Sequence, residues 1–254
     1  MIHVVRRSVV VVILMLAALG AAIPAAAQAP APPPPPPRVE ASAQFTFLDT
    51  NGNAQTRSLG TGGDLVWRPG AWTHSAKAAF TQNETDGAVS ARSITGLFRS
   101  SRKLRERLSV YGQYDYLRDE FAGVEQRHVA EAGVSFQAMA AGRQSLRVDG
   151  AVGYLHEARP RVDPLDSGTL TTAAAYIFAF SKTSEFKYEP RYLLTLADTG
   201  AWKFDQDASL TASITSIMAL KLSHTIRYSA DPPLGFKNTD RIMAISLVAK
   251  LKRP

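Results

Sequence analysis

Long runs of two-residue alternation constrain this chain more than any other feature. Over residues 108–116, Leu108, Val110, Gly112, Tyr114 and Tyr116 share one face; Ser109, Tyr111, Gln113 and Asp115 share the other. The pattern returns over 146–155, where Leu146, Val148, Gly150, Val152 and Tyr154 alternate with Arg147, Asp149, Ala151 and Gly153. It returns again over 218–228, with His224 as the exception on the apolar face. Such alternation marks strands with one apolar and one polar face. Strands of globular proteins average about five or six residues, whereas a tilted strand that crosses a bilayer needs about 9–11. Twelve segments of this kind are predicted, at 40–49, 56–67, 72–83, 91–101, 107–118, 126–138, 144–155, 168–180, 183–194, 202–213, 218–229 and 239–251. The fourth alternates least well.

The connections have a parity of their own. Those after even-numbered segments are short (68–71, 102–106, 139–143, 181–182, 214–217). Those after odd-numbered segments are mostly longer and richer in Gly, Pro, Asn and Asp (50–53, 84–90, 119–125, 156–167, 195–201, 230–238). Outer-membrane barrels have short periplasmic turns and longer outside loops. An even strand count then places both ends of the barrel on the periplasmic side. The predicted fold is an all-β, antiparallel, up-and-down transmembrane β-barrel of about twelve strands.

Two features set this pattern apart from a soluble barrel that turns its apolar face inward around an apolar ligand. The polar faces are heavily charged: Lys77, Arg147, Asp149, Lys187, Glu189, Arg191, Lys203, Asp205, Asp207, Lys221 and Arg227 are the expected lumen-facing charges. Aromatic residues also gather towards strand ends, with Trp67, Trp72, Tyr114, Tyr116, Tyr154, Tyr188, Tyr192 and Trp202 expected at the membrane interfaces.

The first residues predict export. Arg6 and Arg7 precede an apolar run at 9–19, and Ala25-Ala26-Ala27 offers a small-x-small cleavage site. The run falls short of the roughly 20 residues a membrane-spanning helix needs. Residues 1–27 are therefore expected to be a signal peptide cleaved after Ala27. Residues 28–38, with six consecutive prolines from Pro32, form a proline-rich periplasmic linker, and 39–254 the barrel. Proline lacks the N–H of a ladder, so the linker reads as an extended spacer. A docking motif is the other reading. Without cysteine, a disulfide framework and thiolate metal sites are excluded. The 29 Lys and Arg stand against 22 Asp and Glu and are scattered rather than striped, so no nucleic-acid partner is expected.

Four turn-rich segments carry a resemblance. They are Asn51-Gly52-Asn53, the Arg68-Pro69-Gly70-Ala71-Trp72-Thr73-His74-Ser75 hairpin, the Tyr116-Leu117-Arg118-Asp119-Glu120-Phe121-Ala122-Gly123 segment, and Asp231-Pro232-Pro233-Leu234-Gly235-Phe236-Lys237-Asn238-Thr239-Asp240. In this order and spacing the chain resembles the domain-of-unknown-function 481 family, often labelled salt-induced outer-membrane protein. The resemblance implies an outer-membrane barrel without an assigned activity, and no functional residues to carry over. One departure is Leu251, which stands where such barrels usually place the terminal aromatic that the assembly machinery recognises.

No catalytic, cofactor or metal constellation emerges. His74, His128 and His224 fall on apolar faces, and His156 on a predicted loop near Glu157, Asp163 and Asp166. Neighbours along a strand point to opposite faces, so neither His74-Ser75 nor Ser223-His224 can form a nucleophile–base couple within itself. The leading expectation is a non-enzymatic outer-membrane barrel, either a narrow small-solute pore or an envelope-stress structural protein. Its partners would be outer-membrane lipid and the barrel-assembly machinery. A lipid-modifying enzyme and a soluble periplasmic barrel are the alternatives. The first of these requires a Ser and a His converging at one lipid-facing level.

Overall fold

The computed structural model describes residues 37–50 and 56–253. The predicted signal peptide, nearly all of the proline-rich linker and the Asn51-Gly52-Asn53 turn lie outside the described residues. Twelve strands form one closed antiparallel barrel in which each strand pairs with its neighbours in sequence and β1 pairs with β12. They are β1 (Val39–Thr50), β2 (Thr56–Trp67), β3 (Trp72–Thr85), β4 (Ala88–Lys103), β5 (Leu108–Asp119), β6 (Val124–Ala141), β7 (Gln144–Ala158), β8 (Leu165–Ala179), β9 (Ser184–Thr195), β10 (Lys203–Ser213), β11 (Met218–Ser229) and β12 (Thr239–Arg253). Val39 pairs with both Arg253 and Trp67, so the barrel is entered and left at the end that carries the tight turns. The β8–β9 ladder is interrupted opposite Pro190, which has no N–H to give.

The two faces are inverted relative to a water-soluble barrel. Large apolar side chains stand exposed on the outside: Phe45, Phe47, Leu65, Phe98, Phe136, Val152, Leu222, Met243, Ile245 and Leu247, from 44% (Leu222) to 73% (Met243). The buried set is rich in polar groups, with Glu131, Asp149, Glu157, Thr169, Thr195 and Lys203 all at 6% exposure or less. The small apolar core of Val129, Leu155 and Leu193, with Leu165 against it, also lies inside the ring.

Several expectations need correction. β4 alternates poorly but runs for 16 residues, and the predicted loop 84–90 collapses to a two-residue turn. That turn, Asp86-Gly87, has both residues at positive φ (51° and 78°), which matches the twist of a hairpin. The predicted loop 156–167 shrinks because β7 continues to Ala158 and β8 begins at Leu165. Hydrogen-bonded pairing outlasts the apolar alternation at these ends, so hydrophobicity alone places the boundaries too early. His156 is consequently a strand residue, in register with His128 on β6 and Asp166 on β8.

Ring closure has a direct test. Ala43 and Ala249 are exposed register partners across the β1–β12 seam, in a chain that has no cysteine. The Ala43→Cys/Ala249→Cys variant should form a disulfide on mild oxidation, read as a mobility shift on non-reducing gels. Ala43→Cys/Leu247→Cys is two positions out of register and should not cross-link, since diagonal Cβ atoms lie about 7–8 Å apart.

Candidate functional site in the barrel lumen

Side chains on non-adjacent strands of a closed barrel can meet only through its interior, and here charged residues meet across it repeatedly. Arg191 on β9 reaches Asp115 on β5 (3.3 Å) and Glu131 on β6 (2.9 Å). Arg99 on β4 meets Asp149 on β7 at 3.0 Å, donates to Ser135 Oγ at 2.5 Å, and lies 3.5 Å above the Tyr111 ring. Lys203 on β10 meets Glu157 on β7 at 3.0 Å, and the other Glu157 oxygen takes Arg127. Arg227 on β11 donates to Asp119 on β5 and Ser93 on β4, each at 3.1 Å. Lys77 on β3 approaches Glu189 on β9 at 3.6 Å, where Lys187 sits at 2.8 Å. An ion taken out of water costs several kcal/mol unless an opposite charge and further hydrogen bonds compensate. The interior therefore holds its charges in compensated groups.

Among the described residues, one segment reaches across the end bearing the longer loops. Residues 230–238, between β11 and β12, cross the opening so far that the Phe236 ring lies against Gly123, between β5 and β6. Gly123 has φ +74°, and a Cβ there would come within 2.9 Å of the ring, so position 123 requires glycine on both counts. Arg159 Nη1 donates to Asp231 at 3.1 Å and ties the 230–238 segment to the β7–β8 connection. Asp119 serves both sides of this closure. One oxygen caps the short 3-10 turn Glu120–Ala122 and the other takes Arg227. A small cavity of about 30 Å³ remains beneath, where Arg127, Glu157, Asp205 and Arg227 share the lining with apolar residues such as Leu117, Val124 and Pro232.

A family model of proteins of unknown function, DUF481, matches residues 43–251. The chain belongs to the DUF481 family. No curated protein matches it at a significant level. Among solved structures it is similar to the NanC porin (8% identity, TM-score 0.47, covering 85% of this chain and 99% of that one). It is also similar to the KdgM porin in complex with disordered oligogalacturonate (10%, 0.44, 82% and 98%) and the CymD monoaromatic hydrocarbon channel (8%, 0.42, 86% and 89%). At these values the likenesses add nothing to what this DUF481 chain shows by itself.

Of the charges expected in the lumen of this DUF481 barrel, Lys77, Lys187, Glu189, Arg191, Lys203 and Arg227 take part in the contacts above. Arg147 reaches Asp149 at 3.2 Å, beside the Arg99 pair. Lys221 approaches Gln44 at 3.5 Å, and Asp207 accepts from Thr225 at 2.5 Å. Asp205 lies in register between Arg191 and Arg227. Further charges lie in the lumen beyond the expected set: Arg99, Asp115, Asp119, Arg127, Glu131 and Glu157. Strand parity reaches Arg99, Arg127 and Glu131 and already puts Asp115 on a polar face; Asp119 and Glu157 fall just past the predicted strand ends.

The aromatic residues divide between the two ends. Trp67 and Trp72 flank the 68–71 turn and both pack on His74, the Trp72 ring nearly parallel at 5.9 Å. Trp202 stacks between Tyr192 and Tyr228 at the opposite end. Tyr114, Tyr116 and Tyr154 surround His128 and Asp166 on the outer face. Tyr188 sits mid-strand, its hydroxyl donating to Gln206 at 2.9 Å.

Lys203 and Glu157 are 3% and 2% exposed, so truncating the lysine leaves a buried carboxylate with Arg127 alone. Lys203→Ala should lower the unfolding free energy of the refolded barrel by about 3–5 kcal/mol. The Lys203→Ala/Glu157→Gln double variant should lose less than the sum of the single losses, measured by denaturant titration in detergent micelles.

Proposed function

We propose that this DUF481 protein is a non-enzymatic barrel of the bacterial outer membrane whose narrow polar lumen is closed at rest by ion pairs and by the 230–238 segment. The observation that carries the reading is the inversion of its faces. A belt of exposed Phe, Leu, Ile, Val and Met surrounds an interior of paired charges, and hydrocarbon is the medium that suits such an exterior. Twelve residues of strand extend about 40 Å, which at the usual tilt of about 35–45° spans a hydrocarbon core of about 30 Å. The tight-turn end, where the barrel is entered and left, is assigned to the periplasm and the lidded end to the outside. Export through residues 1–27 and delivery by the barrel-assembly machinery complete this reading, with Leu251 at 50% exposure on the last strand as the outward apolar residue near the assembly end.

A soluble barrel binding an apolar ligand fits poorly, because the interior is charged and the exterior apolar. A lipid-modifying enzyme would need a serine beside an outward histidine. His74 stands opposite Ser100 across β3 and β4 with its ring packed on Trp67 and Trp72, whereas the hydrogen bonds of His128 run to Tyr114 and Gln126 and that of His156 to Asp166.

Planar-bilayer recording tests the closed lumen. The wild type should show conductance far below that of an open general porin. Phe236→Ala combined with Arg191→Ala, which removes the lid contact and one cross-lumen bridge, should raise it several-fold. A large, stable conductance from the wild-type protein would contradict the closed state. Conductance that stays flat in the double variant would favour a purely structural barrel.

A further inference from the structure

Charge is distributed unevenly along the barrel axis. The tight-turn end carries Arg102, Lys103, Arg105, Arg107, Arg143 and Lys182, all exposed. Glu106 is the one acid among residues 102–107, 139–143 and 180–183. The opposite end lacks this excess: residues 84–90, 119–125 and 195–201 hold Glu84, Asp86, Asp119, Glu120, Glu125 and Asp198 and no lysine or arginine. The six cations form no ion pair among the described residues. Arg143 gives one N–H to the Phe180 carbonyl at 3.2 Å. Surface charge that serves solubility alone mixes both signs; here one sign is gathered at one end.

The backbone sets these cations along one arc of the rim. Lys103 N donates to Ala71 O at 2.9 Å, Gln137 N to Arg107 O at 2.8 Å, and Ala179 N to Arg143 O at 2.8 Å, so neighbouring turns are tied side by side. The arc lies at the level of an aromatic girdle. Arg102 pairs in register with Trp72, its guanidinium 5.7 Å from the indole ring, and Trp67 and Trp72 both pack on His74. Exposed apolar side chains stand among the cations. Leu104 shares a turn with Arg105 and Arg107, Phe180 precedes Lys182, and Ile214 and Ile217 occupy the next turn. A water-soluble polyanion would meet the cations and leave these apolar groups in water. A lipid interface accommodates both, with phosphates at the cations and the upper acyl region at Leu104, Phe180, Ile214 and Ile217.

We infer that the tight-turn rim from β4 to β9 is a docking surface for the anionic phospholipid headgroups of the leaflet at that end. The inference rests on the membrane reading proposed above. Guanidinium groups match phosphate oxygens in paired hydrogen bonds, and every Lys or Arg near an anionic leaflet adds attraction that decays within a Debye length. The arc holds the turn end of the barrel at its leaflet, while the acid-rich connections at the other end make no such attachment.

The test folds the full chain into phosphatidylcholine vesicles doped with spin-labelled phosphatidylglycerol or spin-labelled phosphatidylcholine. Electron paramagnetic resonance then gives the fraction of each lipid held at the barrel surface. The expected result is a several-fold preference for phosphatidylglycerol at low salt. It should fade towards parity at about 1 M salt, where the Debye length is about 3 Å. Arg105→Gln/Arg107→Gln/Arg143→Gln should cut the preference at least twofold, and lysine at the same three positions should preserve most of it. Arg105→Gln/Lys182→Gln probes the same rim should the triple variant fold poorly. Arg118→Gln/Arg161→Gln, at exposed sites of the lidded end, should change little. No preference in the wild type, a preference that survives both glutamine variants of the rim, or an equal loss from the lidded-end variant would overturn the docking surface. Cosedimentation with cell-wall sacculi without any lipid preference would overturn it in favour of a cell-wall contact. Migration on unheated gels and flotation with vesicles report insertion separately. A barrel that inserts but shows no lipid preference refutes only this inference; one that fails to insert refutes the membrane reading.

Discussion

The ladder between β1 and β12 turns a sheet with two open edges into a ring, and everything else in the molecule depends on that closure. Around the ring the backbone finds its partners on neighbouring strands, so the outer surface can be apolar without stranding donors and acceptors in hydrocarbon. Closure also creates an enclosed interior, into which every second side chain points. Many of those side chains are charged, and an enclosed charge is tolerable only beside its opposite. The bridges from Arg191, Arg99, Lys203 and Arg227 to carboxylates on other strands are the resolution of that constraint. They brace the ring from within and narrow it in the same stroke.

The alternation of residues 108–116, 146–155 and 218–228 was enough to read the strand type, the approximate strand count and which residues share a face, because a strand's two-residue period is written directly in its side chains. Two things were not readable in that way. Alternation says which residues share a face but not whom they meet across a closed interior, so Lys203 with Glu157 and Arg191 with Glu131 were beyond its reach. It also stops where the apolar belt stops. β7 therefore seemed to end near Leu155, and His156 was assigned to a loop, although its backbone pairs on both sides. The β3–β4 turn differs for the opposite reason: residues 84–90 all suit a loop, but the connection needs only Asp86 and Gly87.

Two segments that carry the family resemblance acquire a shared meaning in the structure. Each is a turn-forming string on its own. Folded, Gly123 of the first lies under Phe236 of the second, on opposite sides of the barrel mouth, and Asp119 of the first takes Arg227 from the strand that leads into the second. Their spacing in the chain follows from the geometry of a lid: one segment reaches across and the other receives it. The 230–238 segment and the cross-lumen pairs together border a small cavity beneath the mouth.

The inversion of the two faces is tested most directly by placing the same charge on each side of one strand. Leu222 points outward near the middle of β11, and its neighbour Ser223 points inward. Unfolding free energies of the barrel refolded in lipid vesicles should fall by about 2–4 kcal/mol for Leu222→Arg and by much less for Ser223→Arg. Equal losses, or a larger loss for the inward arginine, would contradict an apolar outer face set in hydrocarbon.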